Sequence, residues 1–80
     1  MSVALDAVQS TVESFILRAK GLDTVDLDAP LYTEEGIGLD SLETAELSAT
    51  LEDEYGHDPY SNDLLPATVR EILDYYATAA

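Results

Sequence analysis

Residues 36–46 read GIGLDSLETAE and set one serine, Ser41, between Asp40 and Leu42, two residues ahead of Glu43. Asp40 and Glu43 have the spacing at which an N-cap residue and the third helical residue satisfy each other's backbone. A helix therefore starts here, with Ser41 in its first turn or serving as the cap itself. A hydroxyl in that place projects near backbone N–H groups that have no helical acceptor and near the positive end of the helix dipole. A phosphate ester formed on it would be stabilised. The sequence offers Ser41 no evident general base, so it suits phosphorylation or a phosphodiester better than nucleophilic catalysis. Gly38, ahead of the serine, leaves a small-residue approach open to a modifying enzyme.

Other chemistry-bearing residues form no comparable pattern. Asp23, Asp26, Asp28 and Glu34 invite a calcium reading, but an EF-hand loop starting at Asp23 would place Val25 and Leu27 where oxygen ligands belong. It would also place Asp28 where glycine is required. His57 beside Asp58 has no nucleophile or further partner nearby in the sequence and reads as a solvated loop histidine. Cysteine is absent, which removes disulfides, thiolate nucleophiles and thiolate metal ligands together.

The elements that must position Ser41 belong to a chain of 80 residues, expected to form one small domain over residues 1–80. A chain of this size buries only about 60–65% of its unfolded surface, too little for a deep catalytic pocket. Seventeen acids face three bases, a formal net charge of −14, which disfavours nucleic acid phosphates and anionic membranes as partners. Hydrophobic residues make up 46% of the chain and argue for a packed fold rather than disorder. The expected partners are proteins with basic surfaces. No apolar run approaches the ~20 residues of a membrane span, and the N-terminus lacks the basic start of a signal peptide. A cytoplasmic monomer is expected.

Leu5, Val8, Val12, Phe15, Ile16 and Ala19 recur at helical spacing, predicting a first helix over Val3–Lys20 that stops at Gly21. Residues 21–40 form a long loop around Pro30, pinned by Leu27, Leu31, Tyr32 and Ile37. A second helix runs from Ser41 to Tyr55 and ends at Gly56. Leu47, Leu51 and Tyr55 face inward, Leu42, Ala45 and Ala49 form a neighbouring stripe, and the remaining surface is acidic without a single base. A short helical turn is expected near Ser61–Leu65. A last helix starts at the Thr68–Glu71 capping box and carries Val69, Ile72, Leu73 and Tyr76 inward. The five tyrosines and the second helix's acids read first as packing and as solvated surface. The expected fold is an all-α bundle of three main helices plus one short helix.

At Gly38-Leu39-Asp40-Ser41-Leu42 the sequence resembles the attachment motif of the acyl carrier protein family. Glu43–Tyr55 resembles that family's acidic second helix, and Thr68-Val69 ahead of Ile72 and Tyr76 is similar to its last helix. The resemblance covers nearly the whole chain and implies an acyl-carrier-like bundle with no catalytic activity. It implies that Ser41 receives 4′-phosphopantetheine from coenzyme A and bears an arm whose terminal thiol holds an acyl or aminoacyl group as a thioester. Asp40 would assist magnesium-dependent transfer of the arm. Leu42, Ala45 and Ala49 would form the apolar part of the partner-facing surface. Glu43, Glu46, Glu52 and Asp53 would pair with lysines and arginines of the partners.

The implied partners are a phosphopantetheinyl transferase, an acyltransferase or adenylating loading enzyme, and synthase enzymes with basic docking surfaces. The chain departs from the fatty-acid carriers in the longer approach Thr33-Glu34-Glu35-Gly36, in the small Ser48 and Ala49, and in the connector Gly56-His57-Asp58-Pro59-Tyr60. Those departures favour a free-standing carrier of a specialised pathway, polyketide or peptide-like. Two other readings compete. A small acidic adaptor would bind partners unmodified and be indifferent to Ser41→Ala, and a small hydrolase would turn over substrate through Ser41.

Overall fold

Val8, Val12, Phe15 and Ile16 fall on one face of a helix, and that face is the buried side of α1 (Leu5–Lys20) in the computed structural model, which describes residues 4–78. Val3, expected as the first helical residue, lies outside the described residues. Gly21 terminates α1 in the left-handed region at φ 66°, a conformation that costs a residue with a side chain, and its N–H bonds back to the Leu17 carbonyl. Leu5 and Ala19, placed in the core by periodicity, are instead exposed. They lie beyond Val8 and Ile16, in the two terminal turns of the helix.

The second helix, α2 (Ser41–Tyr55), has the predicted bounds. Asp40 caps its start, and Gly56 closes its end with φ 81° and an N–H bond to the Glu52 carbonyl. Leu47 and Leu51 are fully buried and Tyr55 half-buried. The last helix, α3 (Val69–Thr78), buries Val69, Ile72 and Tyr76. Its Thr68 Oγ1 accepts from the Glu71 amide at 3.2 Å, but Glu71 Oε1 accepts from the amide of Ala67 at 3.1 Å, so the return half of the expected box shifts by one residue.

Thr11 bonds Tyr55 at 2.8 Å near one end of the bundle, and Lys20 bonds Glu43 at 2.9 Å near the other, so α1 runs antiparallel to α2. The short helix is a 3₁₀ turn at Tyr60–Asn62, not Ser61–Leu65. Asp63 follows it at φ 62°, a left-handed residue that helix cannot continue through, and Leu64 and Leu65 fall in the loop beyond. The described residues thus form an all-α bundle of three helices and one 3₁₀ turn.

The long loop packs as an ordered part of the core. Leu31 and Ile37 are buried as expected, and so is Leu39, while Leu27 and Tyr32 pack partly buried against them. A buried loop must satisfy its backbone, and this one does so by a ladder of hydrogen bonds. The Leu31 amide donates to the Ala67 carbonyl at 2.8 Å, that of Ile37 to Pro30 at 2.8 Å, and that of Leu39 to Leu31 at 2.7 Å. The Arg70 amide donates to Leu27 at 3.0 Å, tying α3 to the same loop.

The seam between α2 and α3 is polar. His57 is not a solvated loop residue: it is half-buried, packs against Tyr75 and Tyr76, and its Nδ1 lies 2.8 Å from the Tyr75 hydroxyl. Asp58 is fully buried, and instead of pairing with His57 its Oδ2 accepts from Ser48 Oγ at 2.6 Å and from the Ser61 amide at 3.3 Å. Its Oδ1 has no partner among the described residues. The small residue at position 48 thus has a structural cause. Ser48→Ala would leave the buried carboxylate with one weak bond and is expected to cost about 1–3 kcal/mol, seen as an earlier urea midpoint. An unchanged midpoint would show that Ser48 does not support Asp58.

Burial holds the hydroxyls of Tyr60 and Tyr76 above the ordinary value of 10.0, and the nearby Asp58 carboxylate reinforces both shifts. A raised folded pKa means that the native state keeps protons the unfolded chain gives up above pH ~10. The stabilisation is therefore complete below that pH and is lost as pH rises past it. The melting temperature is expected to fall between about pH 9.5 and 11, less steeply in Tyr60→Phe. A flat profile, or equal slopes, would contradict this.

Candidate functional site

Ser41 stands at the first position of α2, directly after the end of the backbone ladder. Leu39, anchored at 4% exposure and bonded to Leu31, holds the chain as it enters the helix. Gly38 precedes it at φ 73°, a conformation that favours glycine. Asp40 then takes an extended conformation, φ −86° and ψ 179°, and caps the helix. Its Oδ1 accepts from the Glu43 amide at 2.7 Å, and Glu43 Oε1 accepts from the Asp40 amide at 3.1 Å. The capping box read from the sequence is present in both directions.

With Asp40 as the cap, Ser41 is free of that duty. It is exposed, and its hydroxyl bonds to no other described residue. The Ser41 and Leu42 amides, at the first two helical positions, have no helical acceptor. A phosphodiester oxygen attached to Ser41 Oγ would meet these amides and the positive end of the dipole. The residues present therefore fit a phosphate-linked prosthetic group.

The electrostatics around the serine are arranged by one of the chain's three bases. Lys20, from the last turn of α1, reaches Glu43 Oε1 at 2.9 Å. The Asp40 amide, and next to it the Lys20 ammonium, hold the Glu43 carboxyl below its ordinary value. Glu43 thus remains charged, with both bonds on the one oxygen Oε1, and Lys20 offsets its negative field close to Ser41. Lys20 escapes the sequence reading because 23 residues separate it from Glu43.

The remaining candidate residues line the outer side of α2. Leu42 is 67% exposed, an apolar side chain presented to solvent one residue past the serine. Ala45, Glu46, Ala49, Glu52 and Asp53 are all exposed. Glu52 Oε2 accepts from Ser61 Oγ at 3.2 Å, and a shallow hollow lies over Ala49, Glu52 and Asp53. Helix α2 thus carries a continuous acidic and apolar outer face running away from Ser41, with Glu43 turned toward α1 at its start. Asp28, weighed above as a cation ligand, pairs with Arg70 at 2.6 Å; that bond, then the Arg70 charge, lowers its pKa.

Among the described residues no helix is long and apolar enough to cross a membrane. The model of a protein family described as the phosphopantetheine attachment site matches residues 7–76. No curated protein and no solved structure matches the chain.

Proposed function

The chain belongs to the phosphopantetheine attachment site family, and from that premise we propose that Ser41 is the residue to which the arm is joined. The chain is accordingly a carrier protein, not an enzyme; its cofactor is covalent 4′-phosphopantetheine, and its partners are a phosphopantetheinyl transferase and the catalytic enzymes it serves. When attached, that group supplies a flexible arm ending in a thiol, the nucleophilic sulfur that this cysteine-free chain lacks.

The observation that carries the Ser41 assignment is the division of labour at the start of α2. Asp40 caps the helix, so the serine hydroxyl is exposed and uncommitted while two amides beside it await an anion. Asp40 uses Oδ1 for the cap, which leaves Oδ2 to assist the transferase's magnesium chemistry. The outer face of α2 meets the partner enzymes: Leu42, Ala45 and Ala49 give the apolar contact, and Glu46, Glu52 and Asp53, with Glu43 at the edge, address lysines and arginines. Charges of this kind chiefly set encounter rate and orientation, which suits a carrier that must leave each partner quickly.

The setting that fits best is a specialised pathway, polyketide or peptide-like, with acyl or aminoacyl cargo delivered by an acyltransferase or an adenylating enzyme. Ser48 and Asp58 support it, because a carboxylate buried against α2 gives this seam a polar lining unlike an alkane binding site. The unmodified-adaptor reading gains no support from family membership. Incubation with coenzyme A, magnesium and a broad-specificity phosphopantetheinyl transferase is expected to add one arm per chain, read by intact mass. An unchanged mass would sink the reading.

A further inference from the structure

Leu64 is 51% exposed and its neighbour Leu65 is 70% exposed, both on the loop between the 3₁₀ turn and α3. A single exposed leucine is ordinary, but these two border a groove of about 350 Å³ with Pro59, Pro66 and Tyr75. The far wall is the outer side of α3, contributing Glu71, Asp74 and Thr78. This surface is separate from the outer face of α2.

The leucines do not point outward because the loop is slack. The Leu64 amide donates to the Pro59 carbonyl at 3.1 Å, the Tyr32 hydroxyl donates to the Pro66 carbonyl at 2.6 Å, and Pro66 itself is buried. Tyr75 is fixed as well, with its hydroxyl 2.8 Å from His57 Nδ1 and 2.9 Å from Asn62 Nδ2. A loop tied at both ends thus holds two apolar side chains in solvent beside a formed groove.

Charge selects the occupant. Two carboxylates line the groove, exposed Asp63 adjoins it in sequence, and no base lines it. A second copy of a −14 chain would set acid against acid, and an anionic membrane would be repelled likewise. We propose that this groove docks a segment of a partner protein that carries an apolar side chain flanked by lysine or arginine. The inference does not depend on the arm, since every contact named belongs to the unmodified chain.

The probe is a short amphipathic helical peptide of leucine and lysine, titrated into isotopically labelled protein. The largest amide shifts are expected at Leu64, Leu65 and Tyr75. The double variant Leu64→Ser/Leu65→Ser should weaken binding by about tenfold or more. Leu22→Ser, which removes a 41% exposed leucine elsewhere, should change it less than about twofold. Net charge is the same in all three proteins, so general attraction to the peptide is held constant. Equal affinities in the two variants, or shifts centred on the α2 face, would overturn the proposal. So would concentration-dependent dimers of wild type that the double variant abolishes.

Discussion

Ser41→Ala is expected to take up no phosphopantetheine under conditions in which the wild type is fully converted, while melting within about 0.5 kcal/mol of it. The first half follows from removing Oγ, the one atom through which we propose that the arm is joined. The second half follows from the local structure. Ser41 is exposed and makes no bond to another described residue, and the cap that starts α2 belongs to Asp40 and Glu43. Alanine is a better helix former than serine, so the substitution leaves the helix intact. The two readouts together separate a lost attachment point from a lost fold. An alanine variant that still gained the arm's mass would refute the assignment, and one that unfolded would refute the division of labour at the cap.

The second large effect lies five residues upstream, at Gly36. A Cβ added there would fall on the carbonyl oxygen of Pro30, 2.7 Å from that residue's Cδ and 2.8 Å from its nitrogen. All three opposing atoms are backbone or ring, so no rotamer change relieves the clash. The same carbonyl accepts the Ile37 amide at 2.8 Å, and moving it disturbs the ladder through Leu31 and Leu39 that leads the chain into α2. Gly36→Ala is therefore expected to lose about 1–3 kcal/mol or more, as overpacked sites do. For a chain of this size each kcal/mol lowers the melting temperature by roughly 4–8 °C. Arm uptake should slow as well, because the loop that presents Ser41 has shifted. A variant matching wild type in melting and in rate would mean that the loop is not the rigid support described.

These two sites also show what a sequence can disclose. The bounds of α2 were legible because their causes are local: Asp40 and Glu43 cap one end and Gly56 the other. The glycine at 38 is readable in kind, as a residue suited to φ 73°. Gly36 is not, since its φ is unexceptional and only the fold brings Pro30 against it. Ser48 is similar: a small residue in a helix carries no sign that a buried aspartate ten residues away will bond to it. His57 and Asp58 adjoin in sequence but face different partners, Tyr75 and Ser48, because the chain turns between α2 and the 3₁₀ segment. Leu64 and Leu65 fall within the short turn expected near Ser61–Leu65. They are displaced from helix by the left-handed Asp63, and then held outward by bonds at Pro59 and Pro66.

Helix faces set by nearest neighbours were thus readable, and contacts set by the path of the loops were not. The missed residues nevertheless bear on function. Lys20 pairs with Glu43 Oε1, so this acid of α2 already has a base of its own chain beside it. In our proposal the partner-facing surface of α2 therefore starts at Leu42 and continues through Ala45, Glu46, Ala49, Glu52 and Asp53.

The most direct measurement is fragmentation of the singly modified wild-type protein to locate the added mass. The mass is expected on the peptide spanning the start of α2, with fragment ions assigning it to Ser41. An arm located on Ser48, Ser61 or any other hydroxyl would contradict the account.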